Sequence, residues 1–181
     1  MADSKRRKHS DSRAGMRTGF SRLFGFVALF AASAPSTLFA QTLQLSSTAA
    51  SRGARLIIEI SLKSPQGKEP AALQWEATIP TAELSLVDQQ IAVGPAAKEA
   101  GKSVTCAVKG KPDKTLTSVC ILAGGQQQIQ NGVIALLMLK VPEGAPIGPA
   151  RIQVEGAIAV SRDVIEVPMK PIETVVSIRG K

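Results

Sequence analysis

Few of the residues that commonly carry chemistry occur in this chain, and their spacing limits what they can do. The two cysteines, Cys106 and Cys120, are fourteen positions apart, and the single histidine is His9. Beyond residue 9 the chain therefore has no Ser-His-Asp or Cys-His arrangement, and it lacks the commonest metal ligand. Two cysteines at this spacing do not form a zinc site either. We expect no metal ion, no cofactor and no catalytic residue.

Glycoside hydrolysis is the enzymatic chemistry that a residue count leaves open, because it needs only two carboxyl groups. The acidic residues are scattered along the chain, however, and Trp75 is the only aromatic residue after residue 40. A sugar-binding cleft uses several aromatic rings, and Trp75 shares its row with Leu73 and Ile79, which predicts a core position. We therefore expect a protein that binds and does not catalyse.

Residues 1–40 have the composition of an export signal. A basic stretch precedes an apolar run at 25–34 (GFVALFAASA) that is shorter than the ~20 residues of a membrane-spanning helix. Ala40 occupies the position before the expected cleavage, and a translation start at Met16 would leave a compact signal. The alternative is a retained amino-terminal anchor. We predict a signal peptide over 1–40 and a single domain over 41–181, which is a common domain size.

The exported part has an ordinary charge. Seven of the 22 basic and two of the 14 acidic residues lie in 1–40, which leaves a net charge of +3 beyond them. The basic residues do not cluster, so we expect no nucleic-acid partner. No apolar segment after residue 41 is long enough to span a membrane. The export signal predicts a secreted or periplasmic location. An even number of cysteines in an exported chain predicts a Cys106–Cys120 disulfide, with two free thiols as the alternative.

Alternation of apolar and polar residues predicts strands through most of the exported part. It is clearest at 55–63 (RLIIEISLK) and 72–80 (ALQWEATIP), and Pro- and Gly-containing turns separate such segments by about ten residues. Eight or nine strands without an amphipathic helix indicate an antiparallel sandwich or barrel. The predicted core contains Leu56, Ile58, Ile60, Leu62, Leu73, Trp75, Ile79, Leu139 and Val154.

The segment 133–141 (VIALLMLKV) is apolar on both of its rows. Its odd positions can fill the core, which would leave Ile134, Leu136 and Met138 as an apolar patch on the other row. Monomers usually avoid such a patch. Either the segment 94–102 or a loop covers it, which we favour, or it is a surface for a partner.

The pattern as a whole resembles the cohesin domain. The matching pieces are 53–64 (GARLIIEISLKS), 72–80, 129–141 (IQNGVIALLMLKV) with the Ala145–Gly148 loop that follows, and the closing 173–180 (ETVVSIRG). The resemblance covers nearly all of 42–180. Met138 departs from the family pattern, as do Lys170-Pro171 and the cysteine pair. The resemblance implies a jelly-roll-like β-sandwich that mediates dockerin-type protein–protein association, with a link to polysaccharide breakdown.

If the resemblance extends to the partner surface, it implies a binding face on two strands. The outward residues of 72–80 and 150–156 would then contact the partner, while an ordinary solvated face is the alternative. Two other functions stay open at this point: a carbohydrate-binding module that takes polysaccharide, and a structural subunit of a cell-envelope assembly that adds through an exposed edge strand. The candidate contact residues are Gln74, Glu76, Thr78, Arg151, Gln153 and Glu155.

Overall fold

A computed structural model of the chain describes residues 41–109 and 114–180, without the side chains of 88–90. The predicted signal peptide lies outside these residues. One short helix, α1 (Pro95–Glu99), accompanies the strands, and no helix in the described ranges is long and apolar enough to cross a membrane. The strands are β1 (Thr42–Leu45), β2 (Thr48–Ser51), β3 (Arg55–Lys63), β4 (Ala72–Pro80), β5 (Ser85–Val93), β6 (Ser103–Lys109), β7 (Thr115–Ala123), β8 (Gly132–Lys140), β9 (Gly148–Val160), β10 (Glu166–Pro168) and β11 (Ile172–Arg179).

The strands form the two layers of a sandwich. The smaller sheet has the order β1-β3-β8-β5, and the larger has the order β2-β11-β9-β4-β7-β6 with β10 added on β9. The predicted jelly-roll-like β-sandwich is confirmed. The described residues form eleven strands rather than the predicted eight or nine, and one pair of them, β2 with β11, is parallel.

Both differences lie in the segment 42–51, for which no strand was predicted, and Ser46 is the residue at which this segment changes sheets. Its backbone N–H donates to the Glu59 carbonyl in β3 at 3.0 Å, which ends the pairing of β1 within the smaller sheet. Its carbonyl accepts from the Thr174 hydroxyl in β11 at 3.0 Å, which directs the chain into the larger sheet. The segment thus adds two strands to the predicted set, one in each sheet, and the second runs parallel to the last strand of the fold.

The core lies between the two sheets and consists of the predicted inward rows. Eight of the nine core residues proposed from the sequence are buried, and Leu56 is half-buried. Trp75 is fully buried in the middle of β4. Each large apolar side chain that is removed from water stabilises the fold by about 1.5–3 kcal/mol, so these rows fix which face of each strand points inward.

A β-bulge changes the apolar run of β8. Ile60 pairs with Ala135 and Ser61 pairs with Val133, so Ile134 is an extra residue on its strand, and both Ile134 and Ala135 are fully buried. A bulge shifts the side-chain alternation by one residue. Ile134 therefore lies in the core, and its predicted place on the outward row is wrong. The predicted patch is reduced to half-buried Leu136 and Met138, which is 37% exposed.

The segment 94–102 contacts the start of β8, but the predicted cover does not extend to Met138, which is exposed. The Gly94 N–H donates to the Ile134 carbonyl at 2.8 Å, immediately before α1. A Cβ atom on Gly94 would lie 2.5 Å from the Val133 carbonyl oxygen, so only glycine permits this approach. The bulge and the helical turn therefore bury the first part of the apolar run within the chain itself.

Candidate partner-binding face

The six candidate contact residues lie together on the outer face of the larger sheet. β4 and β9 are antiparallel neighbours, and their register places Thr78 opposite Gln153 and Glu76 opposite Glu155. The alternating residues Leu73, Trp75 and Ala77 point into the core, so the intervening side chains of β4 point outward. On β9 the same alternation exposes the candidates at 151, 153 and 155. We call the outer surface of β9, β4, β7 and β6 the outer face.

Gly156 shapes this face. The register between β4 and β9 shifts between Gln74 and Glu76, and Gln74 lies opposite Ile158. Gly156 has a φ of +58°, a left-handed conformation that a glycine adopts in a bulge without steric cost. The extra residue brings half-buried Ile158 onto the outer face beside Gln74.

Strand β7 adds an apolar stripe that the sequence analysis missed. Ile121 lies opposite Gln74, and Val119 lies opposite Glu76. Ile121 is 49% exposed and Val119 is half-buried. The available signal was the disulfide, because an inward Cys120 forces both of its neighbours outward. The face therefore has a partly apolar centre bordered by polar side chains, which is the usual anatomy of a protein–protein interface.

Two ion pairs order the polar border. The Lys109 ammonium lies 2.9 Å from both carboxylate oxygens of Glu76, which it reaches across β7. Arg151 donates to the Glu173 carboxylate in β11, and this hydrogen bond holds the pKa of Glu173 below its usual value. Exposed pairs of this kind add little stability, so their main effect is to restrict side-chain positions.

Glu155 is the candidate whose charge stays unneutralised. It lies directly opposite Glu76, an unfavourable arrangement of like charges that Lys109 relieves for Glu76. Among the residues described, Glu155 forms no ion pair. It borders a depression of about 200 Å³ together with Gln153 and Glu173. This end of the outer face is therefore suited to a partner's basic side chain.

A second polar cleft lies at the loops of the sandwich. Its volume is about 580 Å³, and glutamines at 126–128 and 130 line it with Glu99 and Arg162. In the adjoining loops, the Lys102 ammonium donates to the carbonyls of Gly124 and Gly125 at 2.5 and 3.3 Å, and burial lowers the pKa of Lys102. In the described ranges, no three His, Cys, Asp or Glu side chains lie close enough to hold a metal ion.

The predicted Cys106–Cys120 disulfide is present and joins β6 to β7. Its residues lie directly opposite each other, and Cys120 is in turn opposite Trp75 in β4. The bridge therefore lies on the inner side of the larger sheet and holds its last strand in place. This position leaves the outer face of β6 and β7 free for contacts.

Comparison with models of known protein families gives no match, and neither does comparison with curated proteins. Solved structures do match. The sixth cohesin of scaffoldin B from Acetivibrio cellulolyticus, solved with a Cel5 dockerin mutant, is 16% identical over 77% of this chain and 99% of that chain, with a TM-score of 0.62.

Two further structures show the same likeness. A type I cohesin–dockerin complex from Clostridium thermocellum, of OlpA cohesin with Doc918, is 16% identical over 77% of this chain and 99% of that chain, with a TM-score of 0.64. A non-cellulosomal cohesin from Archaeoglobus fulgidus is 12% identical over 77% and 91%, with a TM-score of 0.60. The TM-scores establish a common fold, and at identities this low the likeness extends to the fold alone. The described part of the chain therefore has the fold of cohesin domains.

Proposed function

We propose that this domain is a non-catalytic module that binds a dockerin-type protein on its outer face. One observation carries the proposal: all six candidate residues from β4 and β9 share one continuous surface with the exposed Ile121 of β7. Solved cohesins with this fold have been crystallised with dockerins, which supports the choice of partner.

The chemistry of the face suits a protein better than a sugar. Val119, Ile121 and Ile158 offer apolar area at the centre, while Gln74, Thr78 and Gln153 offer hydrogen bonds around it. Aromatic side chains are the groups that stack on sugar rings, and Trp75 is fully buried, so the described residues provide no such platform. The proposal therefore ranks protein binding above carbohydrate binding.

The proposed setting is outside the cytoplasm. A disulfide is expected to persist in a secreted or periplasmic protein, which agrees with the export signal predicted for residues 1–40. A dockerin partner that carries a hydrolase would connect the module to polysaccharide breakdown. The domain itself would contribute attachment, and the partner would contribute catalysis.

The test uses two isoleucines with nearly equal exposure on opposite sheets. Ile121 is 49% exposed on the outer face, and Ile57 is 52% exposed on the outer surface of β3 in the smaller sheet. The full chain and its Ile121→Lys and Ile57→Lys variants are immobilised and exposed to the dockerin-bearing proteins secreted by the source organism. We expect Ile121→Lys to weaken capture at least about tenfold, the equivalent of 1.4 kcal/mol, and Ile57→Lys to retain it.

The opposite ranking of the two variants would move the binding surface to the smaller sheet. A polysaccharide panel runs in parallel with the capture. Retention on a polysaccharide, with no dockerin captured by the native chain, would refute the proposal and favour the carbohydrate-binding function.

A further inference from the structure

β6 is a free edge of the larger sheet. It pairs with β7 through all seven of its residues in an unbroken register, from Ser103 opposite Ala123 to Lys109 opposite Thr117. Within the ranges 41–109 and 114–180, no strand pairs with its other side. One row of backbone groups along β6 therefore lacks a partner strand.

The Cα separation at the disulfide identifies which groups these are. Directly opposite residues in an antiparallel pair are about 5.5 Å apart where they exchange hydrogen bonds and about 4.5 Å apart where they do not. Cys106 and Cys120 are 4.1 Å apart, so theirs is a non-hydrogen-bonded pair. The backbone N–H and C=O of Cys106 consequently point away from β7, as do those of Val104 and Val108, two residues to either side.

These outward groups have no backbone partner among the described residues. Proteins usually protect such an edge with charges, proline, a bulge or a covering segment. The stretch 103–108 (SVTCAV) contains no charged residue and no proline, and its pairing with β7 has no bulge. The disulfide fixes the strand at its centre, so the edge is a rigid template for another strand.

We propose that a second copy of this chain pairs with β6, antiparallel and about a two-fold axis at Cys106. The outward groups at 104, 106 and 108 would form about six intermolecular hydrogen bonds, two for each directly opposite pair. This inference is independent of the dockerin proposal, because it concerns the backbone edge of the sheet and not its outer face.

The self-pairing register is compatible with every side chain of the strand. Val104 of one copy lies opposite Val108 of the other, which covers a valine that is 45% exposed in the single chain. Thr105 lies opposite Ala107, and Lys109 lies opposite Ser103. The two lysines are then at opposite ends of the paired strands, about 20 Å apart at ~3.4 Å per residue, so like charges do not meet. A two-fold axis makes the contact self-complementary and closed.

The pairing would have a functional consequence. It joins the two larger sheets edge to edge and presents two outer faces side by side. Two linked sites bind a multivalent or surface-attached partner more tightly than either does alone. The dimer would therefore present two binding faces as one unit.

The test measures mass by sedimentation velocity for the full chain across a concentration series from about 1 to 200 μM, a range suited to a weak edge contact. Val104→Pro removes an outward N–H without removing a bond to β7. Val108→Lys changes a side chain that is exposed in the single chain, so the variant should fold, but it places charge against Val104 of the other copy. Ile121→Lys, one strand in from the edge, is the control.

We expect the native chain and Ile121→Lys to reach twice the monomer mass at high concentration, and both β6 variants to remain monomeric with the disulfide intact. A native chain that is monomeric throughout the series would overturn the proposal. So would a dimer that persists in both β6 variants, or one that dissociates in Ile121→Lys. Dockerin capture separates the two proposals, since Val108→Lys should still capture a partner and Ile121→Lys should not.

Discussion

Removing the Cys106–Cys120 disulfide should lower the free energy of unfolding by about 3 kcal/mol. The bridge closes a loop with a sequence separation of 14, and the chain-entropy relation for a loop of about 15 residues gives this value at 25 °C. For a domain of this size, such a loss corresponds to a fall in Tm of roughly 10 °C. The bridge acts mainly on the unfolded chain, so the native sandwich should be retained.

The assay is urea unfolding of the native chain, of the same chain after reduction, and of the Cys106→Ala/Cys120→Ala double variant. The reduced chain and the double variant should agree within about 1 kcal/mol, and the difference between them reports the packing of the buried Cys120 sulfur. The urea dependence should steepen without the bridge, since an unlinked unfolded chain exposes more surface. A loss below about 1 kcal/mol in both forms would refute the reasoning.

Two pairs of substitutions test which contacts stabilise the fold. Lys102→Met leaves the Gly124 and Gly125 carbonyls without their buried donor, so it should lower the free energy of unfolding in urea by about 1–3 kcal/mol. Lys98 is exposed, and Lys98→Met should change that free energy hardly at all. Equal stability of the two variants would contradict this prediction. Leu136→Lys should keep the fold and lower the free energy of unfolding by less than about 1.5 kcal/mol, because the site is half-buried and lies opposite Glu59. Leu137 is fully buried, so Leu137→Lys should unfold the domain. Circular dichroism during urea unfolding compares the pair, and loss of fold in both would show that the outer side of β8 is also closed.

The corrections to the sequence analysis have a common origin in pairing between distant segments. Ile134 was placed on the outward row because alternation within one strand cannot reveal an extra residue relative to its partner, β3. The segment 42–51 forms two strands because the N–H of Ser46 donates to Glu59 in one sheet and its carbonyl accepts from Thr174 in the other. Val119 and Ile121 were missed because their place beside Gln74 and Glu76 depends on the register of β7 with β4.

The sequence by itself determined the inward rows of the clearly alternating strands β3 and β4, because only one row of each is apolar enough to be buried. It also determined the disulfide pair, since the chain has two cysteines, and it placed Trp75 in the core. Only the tertiary structure decided which strands are neighbours, where bulges at Ile134 and Gly156 shift the alternation, and which edge stays open. The physical reason is range: side-chain period is a local property, whereas register and sheet order come from contacts between residues dozens of positions apart.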